Sequence, residues 1–146
     1  MNITLSAQVH LSGYGIKPSV QRLAIMDYLI ANRIHPTADD IYNALYTVIP
    51  TLSRTTVYNT LKLFAEQGAV QVLGIDDKNV RFDIDTTNHA HFKCLDCSCV
   101  YDVPVENIGA ITLEGIGELQ ITETHLYYKG YCKKCRKKSG KKILSK

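Results

Sequence analysis

Two Cys-x-x-Cys pairs, Cys94-Leu-Asp-Cys97 and Cys132-Lys-Lys-Cys135, stand 34 residues apart. Four thiolates drawn together complete the tetrahedral shell of Zn(II) and leave no open position. The spacing therefore predicts a structural zinc site that clamps the first strands of a domain to its C-terminus. Any fold this chain adopts must return its last residues to the neighbourhood of residue 94. Cys99 is left over, and nothing around it marks a reactive thiolate, so it reads as a small buried or surface residue. The N-terminus, MNITLSAQVHLSGYG, lacks the basic start, apolar core and cleavage site of a secretory signal. Together with the cysteine pairs this points to a reducing, cytoplasmic setting. No apolar run approaches a membrane span, so no membrane partner is expected.

The first cysteine pair sits inside HAHFKCLDCSCVYD, which carries hard ligands as well. His89 and His91, at i and i+2 in an extended segment, project to one side, as a strand presents two ligands to one ion. Asp102 lies in the neighbouring strand-like run, Asp83 at a domain boundary, and His35 before Pro36 in a loop of the first half. Thiolates suit zinc, whereas imidazole mixed with carboxylate suits Mn(II), Fe(II) or Zn(II), so two metal sites explain the segment better than one. Taken singly, each of these residues has an ordinary reading too, and His35 alone is an exposed loop histidine.

Helical periodicity dominates the first half. In KPSVQRLAIMDYLIANR, Pro18 suits a first helical turn, and Val20, Leu23, Met26 and Ile30 recur at helical spacing up to an end near Asn32. HPTADDIYNAL offers Thr37 as N-cap, acids in the first turn, and an inward Ile41 and Leu45. TLSRTTVYNTLKLFAEQGAV adds Ser53 as N-cap, a seam of Val57, Leu61 and Phe64, and Gly68 as the stop. Val70 and Val72, then Val80, Phe82 and Ile84, alternate on either side of a DDKN turn and predict a hairpin.

Helix, helix, recognition-type helix and hairpin make a winged helix-turn-helix. The expected fold is α+β, with a winged-helix DNA-binding domain over 1–84 and a small α/β metal-binding domain with the four-cysteine zinc site over 85–138. A basic, disordered tail fills 139–146. The second domain should hold strands around HAHFKCLDC and CVYDVPV, a short helix near Glu106 to Leu113, and a long strand through LQITETHLYYKGYC.

The outer face of the third predicted helix carries Arg54, Thr55, Tyr58, Asn59 and Lys62, groups able to read base edges and phosphates in a major groove. A plain solvated face is the other reading. Lys78 and Arg81 of the hairpin would lie near the DNA backbone. The formal charge of +3 adds nothing here, because nine of the seventeen Lys and Arg residues fall between Lys129 and Lys146. Residues 1–128 hold eight basic against fourteen acidic residues, a net of −6. The run KKCRKKSGKKILSK reads mainly as a solvated, partly disordered tail, with non-specific phosphate attraction as the second reading.

HPTADDIY, SRTTVYNTL, RFD, HAHFKCLDC, YD and GYCKKC together closely resemble the ferric uptake regulator family of bacterial metal-dependent repressors, over nearly the whole chain. Within that family the chain looks most like the peroxide-stress branch. That branch holds its regulatory ion with three histidines and two aspartates, which the resemblance places at His35, Asp83, His89, His91 and Asp102. Asp102 stands where iron-responsive members usually have glutamate, and TVYNTL departs from their TVYR. Their additional His-rich site is dismantled: Asn88, His89, Ala90 and His91 replace a His-His-Asp-His run, Thr124 falls at a further ligand position, and His125 is displaced by one residue.

The resemblance implies a repressor, not an enzyme, that binds an inverted-repeat operator in double-stranded DNA as a homodimer, with the second domain as the dimerisation domain. It also implies structural Zn(II), regulatory Fe(II) or Mn(II), and a signal in which Fe(II) and hydrogen peroxide together oxidise His35 or His89. A ferric or zinc uptake regulator is the nearest alternative. A non-haem iron oxygenase would leave the first eighty residues without a purpose and would need open metal positions that Asp83 and His35 crowd. A zinc-stapled adaptor would make no use of Tyr58 or Lys62 on DNA.

Overall fold

The computed structural model describes residues 6–76 and 78–139. They form two compact units that divide between Thr86 and Thr87. In the first unit, α1 (Ala7–Gly13), α2 (Val20–Ala31), α3 (Ala38–Leu45) and α4 (Arg54–Glu66) precede an antiparallel hairpin, β1 (Gln71–Leu73) and β2 (Arg81–Asp83). Each of these helices starts on a hydroxyl. Ser6, Ser19, Thr37 and Ser53 accept from the backbone N–H three residues on, which satisfies a donor that the helix itself cannot. At α3 the Asp40 carboxylate accepts from the Thr37 N–H at 2.9 Å and closes a capping box. Gly68, at φ 83°, follows α4 in a conformation that glycine adopts without steric cost.

Leu11, Ile25, Met26, Leu29, Ile41, Val57, Leu61 and Phe64 from the helices join Phe82 and Ile84 in one core. The order α2, α3, α4, hairpin is that of a winged helix-turn-helix. Three details differ from expectation. α1 has no counterpart in the sequence reading. Pro18 lies ahead of α2 instead of in its first turn, since Ser19 takes the cap; Val20 is 76% exposed, and Ile25, Met26 and Leu29 are the buried line. In the hairpin, Val70, Leu73, Phe82 and Ile84 are buried while Val72 and Val80 are exposed, because the strands pair over three residues and Val70 lies outside them.

In the second unit, β3 (Ala90–Cys94) is the central strand, antiparallel to β4 (Val100–Val103) and parallel to β5 (Tyr127–Gly130). Between β4 and β5 the helix expected over Glu106 to Leu113 is a single 3₁₀ turn, Ile108–Ala110; Asn107 offers it no side-chain cap, and Gly115 and Gly117 follow at positive φ. The long strand expected over 119–132 contracts to four residues. β3 offers partners only from His91 to Cys94 before the chain turns at the first cysteine pair.

Part of the basic run is helical instead of loose, as α5 (Lys133–Ser139), while residues 140–146 of the expected tail lie outside the described residues. Among the described residues the buried set of this unit is small: Ala90, His91, Cys94, Val100 and Cys135. A unit of this size with so thin a core needs a staple. No described helix is long and apolar enough to cross a membrane.

Candidate metal centres and nucleic-acid face

Parallel pairing carries the C-terminal ends of β3 and β5 to one edge of the sheet, with Cys94 opposite Gly130. A cysteine pair begins at or just past each end, and the Sγ atoms of Cys94, Cys97, Cys132 and Cys135 all lie within 4.8 Å of one another. Cys97 and Cys132 are 3.9 Å apart, close to the ~3.8 Å that Zn–S bonds of about 2.3 Å set in a tetrahedron. The Cys132 N–H donates to Cys94 Sγ at 3.4 Å, and there is no disulfide among the described residues.

Burial pushes the Cys94 thiol up, but the backbone N–H groups of Cys132, Cys97 and Asp96 outweigh it and hold the thiol at about 6. At Cys97 a backbone N–H from Cys99 favours the thiolate, yet the Cys99, Cys94 and Cys135 side chains and burial push it up to about 12. Cys132 is lowered, chiefly by the Cys135 N–H, and Cys135 is raised, chiefly by the Cys132 side chain. Tyr101, whose hydroxyl bonds Cys132, is raised to about 12. Four sulfurs in mutual contact cannot all ionise unless a cation shares their charge, and this donor set fits Zn(II). Cys99 is exposed and outside the cluster.

The harder ligands are built differently. In the first unit, β2 pins the loop before α3: Phe82 N–H donates to Pro36 O at 3.0 Å, Thr37 bridges Arg81, and Arg81 Nη1 donates to His35 O at 3.1 Å. His35 is buried, not an exposed loop residue, with Nε2 3.4 Å from Asp83 Oδ2. It is held at φ 57°, a conformation uncommon for a non-glycine residue. Asp83 is fixed in turn, its Oδ1 accepting from the Asp85 N–H at 2.9 Å.

In the second unit, His91 on β3 stands opposite Asp102 on β4, and His89 precedes β3 on the same side, the two rings 4.4 Å apart. Both Nε2 atoms converge on one oxygen, Asp102 Oδ1, at 3.0 Å from His89 and 3.4 Å from His91. His89 Nδ1 lies 2.7 Å from Thr87 O, and a carbonyl only accepts, so with Nδ1 donating there Nε2 is the nitrogen that a metal would take. Two imidazole nitrogens aimed at one carboxylate oxygen fit a shared cation. The structure thus brings His35 to Asp83 in one unit, and His89 and His91 to Asp102 in the other. Arg81 and Thr87, which support His35 and His89, are missed by sequence reasoning because each acts through a main-chain carbonyl, Arg81 as donor and Thr87 as acceptor.

On α4, Thr55, Tyr58, Asn59 and Lys62 are exposed, away from the buried Val57, Leu61 and Phe64. Lys17, Arg22, Thr56 and Asn59 line a groove beside them that the sequence did not single out. Arg54 is turned toward α3, ion-paired to Asp39 with its Cζ 4.4 Å from the centroid of the Tyr42 ring. Of the hairpin cations Lys78 is exposed. Arg81 is not placed for DNA, since Asp76, 3.2 Å away, and the His35 carbonyl hold it inward.

Residues 13–129 match the ferric uptake regulator family, and the chain belongs to it. It is a family of transcriptional regulators, not of enzymes. Among its members this chain is similar to the peroxide-responsive repressor PerR of Staphylococcus aureus (strain Mu50 / ATCC 700699), 36% identical over 126 residues that cover 85% of each chain. A solved structure of PerR from Streptococcus pyogenes, described as explaining peroxide sensing and gene regulation, is 30% identical with a TM-score of 0.50, covering 90% of this chain and 94% of that one. The Helicobacter pylori ferric uptake regulator, described as having three functional metal-binding sites, shares the fold at 16% identity and TM-score 0.67, covering 99% of this chain and 100% of that one.

Proposed function

We propose that this protein is a cytoplasmic, metal-dependent transcriptional repressor that senses hydrogen peroxide. The observation that carries the reading is the convergence of His89 and His91 on Asp102, in a chain whose relatives are named for their response to peroxide. As a homodimer it presents Thr55, Tyr58, Asn59 and Lys62 of each α4 to major grooves about one DNA turn, ~34 Å, apart on an inverted repeat. Cys94, Cys97, Cys132 and Cys135 hold structural Zn(II). His35 and Asp83 from the first unit, with His89, His91 and Asp102 from the second, hold one Fe(II) or Mn(II).

Five N/O donors, two of them carboxylates, suit those ions and cancel their charge. Ligands drawn from both units fix the relation between them, and a shift from 1:99 to 99:1 in favour of the DNA-binding arrangement needs about 5.5 kcal/mol. Fe(II) held by these residues would activate hydrogen peroxide, and His35 or His89 would be the ring whose C–H hydrogen is replaced by one peroxide oxygen as hydroxyl, with water as the other product. Thr87 keeps the His89 imidazole turned with Nε2 inward, and an oxidised ring no longer offers that nitrogen, so the operator is released.

The test is operator binding by zinc-replete protein loaded with Fe(II) or with Mn(II), before and after peroxide, with peptide mass analysis. The expected result is release by the iron form alone, with one oxygen on His35 or His89. If both forms keep DNA and neither histidine gains mass, the protein is a metal-uptake regulator instead.

A further inference from the structure

Arg54 is the first residue of α4, and side chains lean toward the N-terminus of their helix, so its guanidinium sits at the end a recognition helix presents to base edges. Two groups hold it there. Asp39 Oδ1 accepts from Nη1, and the Tyr42 ring lies beneath the guanidinium plane; Tyr42 is itself braced by a near-parallel stack on Tyr46, 5.5 Å between centroids. Among the described residues nothing occupies Nε or Nη2 of Arg54 or Oδ2 of Asp39, and the two side chains are 59% and 67% exposed.

A neutral Arg–Asp pair is poorly suited to a phosphate, because the carboxylate cancels the charge that would attract it. Its open edge, two donors beside one acceptor, matches the major-groove edge of a G·C pair: guanine N7 and O6 accept, and the cytosine amino group donates. We infer that Arg54 and Asp39 together read one G·C base pair in each half-site, Arg54 on guanine and Asp39 on cytosine, with Tyr42 as the positioning residue. The assignment rests on the proposed entry of α4 into a major groove.

Selection from a random duplex library with the zinc-replete, Mn(II)-loaded full chain tests it. The wild type should return a fixed G·C in each half of an inverted repeat. Arg54→Lys keeps the charge and loses the fork; with an unchanged thermal midpoint, that column should relax and binding to the selected sequence fall about tenfold or more, with the salt slope unaltered. Asp39→Asn should raise affinity for unselected DNA and steepen the salt slope by about one, as the pair gains a net charge. If the Arg54→Lys column stays fixed, or if Arg54→Lys weakens all sequences alike and flattens the salt slope, the inference is wrong while DNA binding stands. If the wild type selects nothing and binds no DNA, the repressor reading falls with it.

Discussion

The four-cysteine cluster and the histidine–aspartate ligands are both metal-type donor sets, yet they are distributed in opposite ways. All four thiols belong to the second unit, at neighbouring strand ends of one sheet. The imidazoles and carboxylates are divided, His35 with Asp83 in the first unit and His89 and His91 with Asp102 in the second. On the function proposed above, an ion held within one unit stabilises that unit, whereas an ion that took ligands from both would couple its binding to their arrangement. Location, more than ligand chemistry, would then separate a structural ion from a switching one.

The largest effect should come from removing the cluster. Structural zinc contributes about 10–16 kcal/mol in small metal-dependent domains, and the core of the second unit is thin among the described residues. Cys132→Ser should therefore lose zinc and the near-ultraviolet signature of the tyrosines around β3 and β5, and a variant that keeps a cooperative transition for this unit would break the comparison. His91→Ala should leave one zinc per protomer, measured by elemental analysis, while Mn(II)-dependent operator binding drops about 100-fold; equal loss of both metals would merge the two sites into one.

Arg81→Ala is subtler. It removes the strut under the His35 carbonyl and the ion pair to Asp76, so Mn(II) affinity by calorimetry should fall about tenfold and stability by about 1–3 kcal/mol. His125→Ala is the smallest test. Its partner Glu123 is exposed, and such pairs contribute about 0–1 kcal/mol, so neither metal's affinity should change.

Much of this was readable in the sequence where the signal is local. Thr37 and Ser53 cap the helices they were assigned to, and Val57, Leu61 and Phe64 are buried as their spacing requires. His89 and His91 share a side, as the i, i+2 spacing of an extended segment predicts, although His89 lies just ahead of β3. The failures are long-range. Residues 119–132 have the composition of a strand, but a strand extends only as far as its partner: β3 starts at Ala90, which leaves 119–126 unpaired with it, and ends at Cys94. Taken singly His35 looked like a surface residue, because the hydrogen bond that holds its carbonyl comes from β2, some 46 residues away, through Arg81. Arg54 read as one of five groups on a DNA-reading helix face, and only the packing of α3 on α4 gives it Asp39 and Tyr42.

The parallel pairing of β3 with β5 also sets an order of events during synthesis. A parallel neighbour cannot arrive by a hairpin, so β3 and β4 can pair early while the seat for β5 stays empty. The first two thiols leave the ribosome with them, and the other two follow only after 34 more residues. A chain stopped before Tyr127 has half the cysteine cluster and an open edge on its central strand, the kind of edge that invites aggregation. Zinc capture as proposed for this unit would thus double as a completeness check on the polypeptide.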